Sequence, residues 1–214
     1  MIEFKNVSKA YALGSGKKIL LDNISFRFEQ GLNIGILGVN GAGKSTALKL
    51  IAGSEAPDKG RIIRSGTFSW PLGFSAGFQG SLSGEENLRF ICRIYAANIR
   101  SVIKFVADFS ELGDALYEPV ATYSTGMRAR LAFALSMAIE FDVYLVDEIM
   151  GVGDRLFQQK CRDAFVEKSK QSSIIMVSHN MNTIREYSDV VLVLSNGNVD
   201  IYEDIEEAIA SYEK

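Results

Sequence analysis

The chain of 214 residues is poor in the residues that mark several classes of protein. It has two cysteines, Cys92 and Cys161, and no CxxC pair, so neither a disulfide framework nor a zinc site is indicated and a reducing, cytoplasmic compartment is expected. No apolar run approaches the roughly 18 residues that cross a bilayer, and the opening MIEFKNVSK lacks a secretory core. Any membrane role is therefore expected to work through a partner.

Neither sign of charge is in large excess. The formal net charge is -3, which gives no basic footprint of the kind that dominates nucleic-acid affinity, so no direct nucleic-acid partner is expected. The hydrophobic fraction of 47% and the charged fraction of 23% are those of a globular protein. The length suits one α/β domain and is short for two, so a single domain over 1–214 is predicted.

Two hydrophobic patterns predict the sheet. Ile24, Phe26 and Phe28 alternate with polar residues, which is typical of a half-buried antiparallel strand. Short continuous apolar runs favour parallel strands covered on both faces; they lie at 34–37, 143–146, 174–177 and 190–194. The patterns together predict an α/β fold with a mostly parallel sheet and an N-terminal antiparallel β region.

Helical periodicity predicts the remaining elements. Apolar positions recur at helical spacing over 44–52 and 126–139, and Gly53 is expected to end the first of these helices. Between residues 80 and 120 strand signals give way to helical patterning that begins at Ser83, a predicted N-cap, so a helical insertion is expected there. Asn196 and Gly197 favour a hairpin turn, and a short amphipathic helix is expected to close the chain.

A glycine-rich segment follows the first apolar run. Residues 38–46 read GVNGAGKST and open a helix, as a phosphate-binding loop requires. Backbone N–H groups are expected to face the β-phosphate, Lys44 to add charge at the β- and γ-phosphates, and Ser45 to bind Mg²⁺. The alternative is a turn that binds nothing. The predicted nucleotide contacts in this loop are Gly38, Asn40, Gly41, Ala42, Gly43, Lys44, Ser45 and Thr46.

Two further predicted strands are followed by side chains that can take part in catalysis or metal binding. Asp147 and Glu148 follow the apolar run 143–146, and ligands of open α/β sheets bind at such strand ends. Asp147 is predicted to hold Mg²⁺ and Glu148 to deprotonate the attacking water, although an acidic pair can also simply cap a helix. His179, the one histidine, follows another strand and is predicted to sense the γ-phosphate; a structural histidine is the alternative.

With these residues the sequence resembles, over essentially the whole chain, the nucleotide-binding subunit of ATP-binding cassette (ABC) transporters. The resemblance implies a P-loop NTPase (ABC ATPase) with a RecA-like core, into which a helical subdomain is inserted at about 80–140. It implies that Gln79 serves both catalysis and the Mg²⁺ site. YSTGM stands at the signature segment, where Ser124 and Gly126 would contact the γ-phosphate of a nucleotide bound to a second copy. GVGD keeps Asp154 but has Gly151 in place of the family's serine.

Tyr11 is predicted to stand in an N-terminal loop. The resemblance implies that its ring stacks on adenine, and a phenylalanine there should serve nearly as well. An exposed loop tyrosine without a ligand is the alternative.

Within the superfamily, YSTGM, EIMGVGD and WPLGFSAGFQGSLSGEEN resemble the ATPase subunit of capsular-polysaccharide exporters of Gram-negative bacteria. That resemblance implies an ATPase with ATP and Mg²⁺ that energises export across the inner membrane, bound at its cytoplasmic face through a permease. The implied partners are a second ATPase subunit in the ATP state, a dimer of an integral membrane permease, and periplasmic and outer-membrane export components.

Rival interpretations remain open. Exporters of O-antigen or of other cell-surface glycans have similar cores, and some carry a carbohydrate-binding domain; this chain ends at Lys214, which favours capsule export. Soluble ABC ATPases of DNA repair or translation share the chemistry, but repair members insert a long coiled coil and translation members carry two cassettes. An inactive module would have lost catalytic positions, and Lys44, Asp147 and Glu148 are present.

Overall fold

The computed structural model describes residues 1–14, 16–72, 77–147 and 154–213, which fall into two compact units. The first unit holds the described residues within 1–71, 141–147 and 172–213, and it contains the strands. The second holds those within 72–140 and 154–171 and is helical. It therefore takes in residues 154–171 as well as the insertion expected at about 80–140.

The strands of the first unit form two sheets, with the order β2-β1-β4 in one and β5-β6-β7-β3-β8-β9 in the other. The first sheet is antiparallel, and in the second only the β8–β9 pair is antiparallel. The strands are β1 Ile2–Leu13, β2 Gly16–Phe28, β3 Ile34–Gly38, β4 Lys59–Arg64, β5 Phe68–Pro71, β6 Val143–Asp147, β7 Ser173–Val177, β8 Val190–Ser195 and β9 Asn198–Tyr202.

The predicted core strands are confirmed, and their burial explains their composition. Every residue of β3 and of β7 is buried, as expected for strands covered on both faces. In β2, Ile24 and Phe28 are buried and Phe26 stacks on Phe4 of β1 at a ring-centroid distance of 4.4 Å. β2 pairs with β1 in the antiparallel sense, so the alternating segment is an antiparallel strand, as predicted.

The helices begin and end at recognisable residues. The predicted helix at 44–52 is confirmed, and Gly53 ends it with φ 77° and an N–H donated to the Leu50 carbonyl at 3.3 Å. The Asn196-Gly197 hairpin is also confirmed, with φ 48° and 83°. The helices are α1 Lys44–Ala52, α2 Gly84–Ile94, α3 Ile99–Ser110, α4 Thr125–Ala138, α5 Arg155–Ser169, α6 Met181–Tyr187 and α7 Ile205–Tyr212. None of the helices in the described ranges has the length and apolar character that spanning a bilayer demands.

The helical unit is built around α4. This helix is buried at every position from Leu131 to Met137, so its second half is buried all round and does not present a single buried face. Phe109 of α3 contributes to this burial, because its ring packs against Phe133 of α4 and Phe157 of α5. The distances between ring centroids are 6.1 Å and 5.8 Å, respectively. The helix is enclosed by its neighbours.

Ser83 caps α2 as predicted, in a complete capping box. Its hydroxyl accepts the Glu86 N–H at 3.1 Å, and the Glu86 carboxylate accepts the Ser83 N–H at 2.7 Å. This pair fixes where the helix begins after the segment that carries Gln79.

Replacing the cap should loosen the helical unit. Ser83→Ala removes the acceptor for one N–H of the first turn and should lower the free energy of unfolding by about 1 kcal/mol. Ser83→Asp keeps an acceptor there and is the matched control. Urea denaturation followed by circular dichroism measures both, and equal stability of Ser83→Ala and the parent chain would contradict the role of the cap.

Candidate nucleotide-binding site

Three parallel strands of the first unit end side by side. Val177, the last residue of β7, is paired with Ile36 of β3 on one side and with Asp147 of β6 on the other. The glycine-rich loop at 38–46 follows β3 and His179 follows β7, so both leave the sheet at the same edge as Asp147. The structure thus brings together three of the predicted site elements, at the end of a sheet where ligands of α/β folds bind.

The loop at 38–46 needs glycine for two different reasons. At Gly38 a Cβ would lie 2.7 Å from the Leu194 carbonyl oxygen of β8, a backbone atom that cannot move aside. Gly43 has φ 108°, a left-handed conformation that other residues rarely adopt. The loop is therefore held against the sheet in a curl that only a glycine-rich sequence can follow.

The N-terminus of α1 presents donors to the space enclosed by the loop. Its N-cap, Gly43, has no side chain to accept the first N–H groups, and the first turn carries no acidic residue. Lys44 is 8% exposed, and its ammonium donates to the carbonyls of Gly38 at 2.7 Å and of Val39 at 3.2 Å. A helix N-terminus without a side-chain cap and a buried cation beside it make a site for an anion such as phosphate.

The same edge carries hard oxygen donors. Ser45 is exposed and Thr46 partly buried on the first turn of α1, and the Asp147 carboxylate is partly buried at the end of β6. A hydroxyl and a carboxylate of this kind suit Mg²⁺, which prefers a few protein oxygens together with phosphate oxygens. The loop that includes Asn40 and Gly41 leaves the sheet at this same edge, between β3 and α1.

His179 stands exposed at the beginning of the loop after β7. Ser178, which is buried, accepts the Asn180 N–H at 3.1 Å, and Asn180 in turn caps α6. These contacts fix the backbone on both sides of His179. Glu148, the predicted base, and Gly151 lie outside the described residues.

Tyr11 does not stand in a loop, contrary to the prediction. It is part of β1, which continues to Leu13 because Tyr11 pairs with Lys18 of β2. The pairing with β2 carries the strand through the position where a loop is predicted. Its side chain is 38% exposed, so the ring keeps a face toward solvent while its backbone is held by the sheet.

The Tyr11 hydroxyl is tied into a charged cluster. It donates to the Glu55 carboxylate, which also pairs with the Lys9 ammonium at 2.9 Å. That ammonium lies 5.3 Å from the centroid of the Tyr11 ring and donates to the Ala56 carbonyl at 2.9 Å. The hydrogen bond from Tyr11 lowers the pKa of the Glu55 carboxyl, and the same bond raises the pKa of the Tyr11 hydroxyl. A phenylalanine would keep the ring and lose this tether.

Gln79 belongs to the helical unit and is exposed. Its backbone is held by Asn87, a buried polar residue: the Gln79 N–H donates to the Asn87 Oδ1 at 2.8 Å, and the Asn87 Nδ2 donates to the Gln79 carbonyl at 3.1 Å. The Gln79 side chain donates to the Ser81 hydroxyl at 3.3 Å. The segment is therefore fixed by its backbone and presents its side chain to solvent.

The signature segment starts α4. Ser124 is exposed and accepts the Met127 N–H at 3.2 Å, which makes it the N-cap. A Cβ at Gly126 would meet no described atom closer than the Ser124 hydroxyl, at 3.9 Å. The hydroxyl and the adjacent backbone are thus accessible together at a helix N-terminus, the geometry that an anion needs.

Asp154 caps α5 and joins it to α4. Its carboxylate accepts the N–H groups of Leu156 and Phe157, each at 3.0 Å, and pairs with Arg130 of α4 at 2.8 Å. The Arg130 guanidinium lies 4.3 Å from the centroid of the Phe157 ring. These contacts lower the pKa of the Asp154 carboxyl, the backbone hydrogen bond from Phe157 above all.

Known proteins share both the sequence and the fold. The family model for ABC transporters matches residues 21–151, more than half of the chain. The ATP-binding protein BexA of Haemophilus influenzae is 52% identical over 212 residues, covering 99% of this chain and 98% of BexA.

The chain belongs to the ABC transporter family.

Two further comparisons agree with this membership. The capsule polysaccharide export ATP-binding protein CtrD of Neisseria meningitidis serogroup B is also 52% identical, over 99% of this chain and 98% of CtrD. The dimeric ATP-binding cassette MJ0796, solved with ADP and Pi, matches with a TM-score of 0.77 at 20% identity, over 94% of this chain and 98% of that one. The resemblance drawn from the motifs and the α/β ABC ATPase fold class are confirmed.

Sequence reasoning missed two residues, Glu55 and Asn87, that hold predicted site residues in place. Glu55 anchors the Tyr11 hydroxyl from a position 44 residues away, and nothing in the sequence around it signals that contact. The sequence carries a weak signal for the role of Asn87. This polar residue stands four positions after the N-cap Ser83, on the same face of the helix, where its side chain reaches the preceding backbone.

Removing the Tyr11 hydroxyl should change the titration of Glu55. In Tyr11→Phe the pKa of Glu55 should rise toward its ordinary value of about 4.3, because the main contact that favours the carboxylate is gone. The stability supplied by this hydrogen bond should be present above that pH and be lost as the pH falls through the lowered pKa of the parent chain. Carboxyl NMR titration of the parent chain and of Tyr11→Phe measures the shift, and an unchanged Glu55 curve would contradict the tether.

Proposed function

We propose that this chain is the ATP-hydrolysing subunit of an ABC exporter that energises transport of capsular polysaccharide across the inner membrane. The observation that carries the proposal is the likeness to CtrD, a capsule polysaccharide export ATP-binding protein, along nearly the whole of both chains. The convergence of the loop at 38–46, Asp147 and His179 at one sheet edge supports the ATPase chemistry on which export would depend.

The phosphate chain of ATP would lie along the loop at 38–46. The N–H groups at the start of α1 would bind the β-phosphate, and the Lys44 ammonium would exchange its carbonyl partners for phosphate oxygens. In this exchange the cation trades two neutral acceptors for charged ones, so binding is favoured electrostatically. The Tyr11 ring, held by Glu55, would stack on the adenine.

Ser45, Asp147 and Gln79 would hold Mg²⁺. The ion would neutralise charge on the β- and γ-phosphate oxygens. Glu148 would orient a water molecule and take its proton as the water oxygen attacks the γ-phosphorus and the bond to the ADP oxygen breaks. His179 would donate a hydrogen bond to the γ-phosphate and so report its presence.

Ser124 and Gly126 would complete the site of a second copy of the chain. Their accessible hydroxyl and backbone at the start of α4 suit the γ-phosphate of a nucleotide bound to a partner subunit. Two copies would therefore close over two ATP molecules and separate after hydrolysis. The dimeric form of MJ0796 supports this arrangement.

In this proposal the subunit acts at the cytoplasmic face of the inner membrane. A permease dimer would bind it and carry the polysaccharide, and periplasmic and outer-membrane components would continue the export path. O-antigen or other glycan export, and a soluble ABC ATPase function, are the alternatives that the experiments below separate.

Replacing the proposed base should nearly abolish turnover. Glu148→Gln should lower kcat for ATP hydrolysis by about 10²- to 10⁴-fold while ATP binding persists, because only the proton acceptor is lost. Phosphate release by the assembled complex measures turnover and a fluorescent ATP analogue measures binding. Lys44→Ala is the comparison and should lose binding itself; normal turnover in Glu148→Gln would overturn the assignment of the base.

The proteins that copurify with Glu148→Gln distinguish an exporter subunit from a soluble ABC ATPase. Tagged Glu148→Gln, expressed in its source cell and extracted gently with ATP present, should copurify a multispanning membrane protein, and the strain should lose surface capsule. Recovery of ribosomal or DNA-bound proteins would overturn the exporter proposal. Intact capsule together with altered O-antigen would overturn the choice of cargo.

A further inference from the structure

We propose that Lys18 is a second lysine that contacts the phosphate chain of the bound nucleotide, in addition to Lys44. The inference rests on the proposed function only in that the loop at 38–46 must bind nucleotide. It concerns a residue outside that loop, on β2, which no motif in the sequence marks.

The Lys18 side chain lies against the loop. A Cβ at Gly41 would be 2.8 Å from the Lys18 ammonium nitrogen, so the cation occupies the space that the missing side chain leaves open. Further along β2, Leu20 packs against the loop in the same way, because a Cβ at Gly43 would be 3.2 Å from the Leu20 Cβ. The strand therefore runs beside the phosphate-binding loop and brings a positive charge to its middle.

An irregularity in the pairing of β1 and β2 directs this part of β2 toward the loop. Ala10 pairs with Ile19 and Lys9 pairs with Leu21, so Leu20 has no partner across the sheet. Leu20 and Leu21 are both buried, at 7% and 2% exposed, although neighbouring residues of a regular strand point to opposite faces. The bulge turns this part of β2 toward the loop, and Lys18 lies just before it.

Lys18 also stands directly across the sheet from Tyr11. Opposite residues of an antiparallel pair have side chains about 5 Å apart at Cβ. A nucleotide whose base stacks on Tyr11 and whose phosphates lie on the loop must therefore pass Lys18. The residue has the predicted base-binding ring on one side and Gly41 of the loop on the other.

The charge of Lys18 is available to a ligand. Within 1–14, 16–72, 77–147 and 154–213 its ammonium forms no ion pair with a carboxylate. Its neighbour Lys17 acts elsewhere, since its charge helps to lower the pKa of the Asp58 carboxyl, whose largest influence is the Ala10 N–H. A lysine ammonium on a flexible four-carbon stem can follow a phosphate oxygen over several ångströms. The two adjacent lysines therefore serve as test and control.

Removing the Lys18 charge should weaken binding of the phosphate chain. In the full chain, Lys18→Ala should raise the Kd for ADP by about 3- to 10-fold, the range expected for a charge-assisted contact at an exposed site. Lys18→Arg should retain affinity within about twofold, and Lys17→Ala should do the same because its charge lies away from the loop. Binding of ADP in Lys18→Ala should also depend less steeply on ionic strength. Thermal melting of each variant confirms that it folds.

Inorganic tripolyphosphate identifies which part of the nucleotide Lys18 contacts. Tripolyphosphate lacks the base and the ribose, and its affinity can be measured by competition with labelled ADP. Lys18→Ala should weaken the binding of tripolyphosphate by the same factor as the binding of ADP. A loss seen with ADP and absent with tripolyphosphate would overturn the phosphate assignment. Equal ADP affinity in Lys18→Ala and the parent chain, or an equal loss in Lys17→Ala, would overturn the proposal as a whole.

Failure of the inference and failure of the proposed function give different results. If the parent chain binds ADP and Lys44→Ala does not, the nucleotide site stands, and a neutral Lys18→Ala refutes Lys18 alone. If the parent chain binds neither ADP nor tripolyphosphate, or Lys44→Ala binds as well as the parent chain, the nucleotide site itself is wrong and the inference falls with it.

Discussion

The parallel alignment of β6, β7 and β3 is the constraint on which the candidate site depends. Because Val177 is paired on both sides, the carboxyl ends of these strands are level, and the segments that follow them leave the sheet together. The observed register of these pairs places Asp147, at the end of β6, and His179, just after β7, near the loop that follows β3.

Close packing around the loop supports its chemistry. Gly38 lies against the Leu194 carbonyl on one side and Gly43 against Leu20 on the other, so the loop is held between β8 and β2. Burying the Lys44 ammonium would be costly without acceptors, and two carbonyls of the loop supply them. The arrangement holds a cation and a helix N-terminus in one geometry, which lowers the ordering cost of binding an anion.

The helical unit uses polar contacts to fix short segments. Asn87 is 2% exposed and holds the backbone of Gln79, while Ser124 and Asp154 begin α4 and α5. Arg130 then links those two helices through Asp154. A buried polar group is stabilising only when its hydrogen bonds are made, so such contacts specify one position for each segment. The segments named by the motifs are thereby held to rigid helices.

The sequence by itself determined the elements whose signals are local. Continuous apolar runs identified β3, β6, β7 and β8, and a capping residue identified the start of α2. The glycines and Lys44 indicated a phosphate-binding loop. Each of these patterns reflects burial or backbone conformation over a few residues. Only the tertiary structure decided that Tyr11 lies in a strand, that the second half of α4 is buried all round, and that Glu55 and Lys18 lie beside predicted site residues. Those features depend on strand pairing and helix packing between residues far apart in the chain, for which a single sequence carries no local signal.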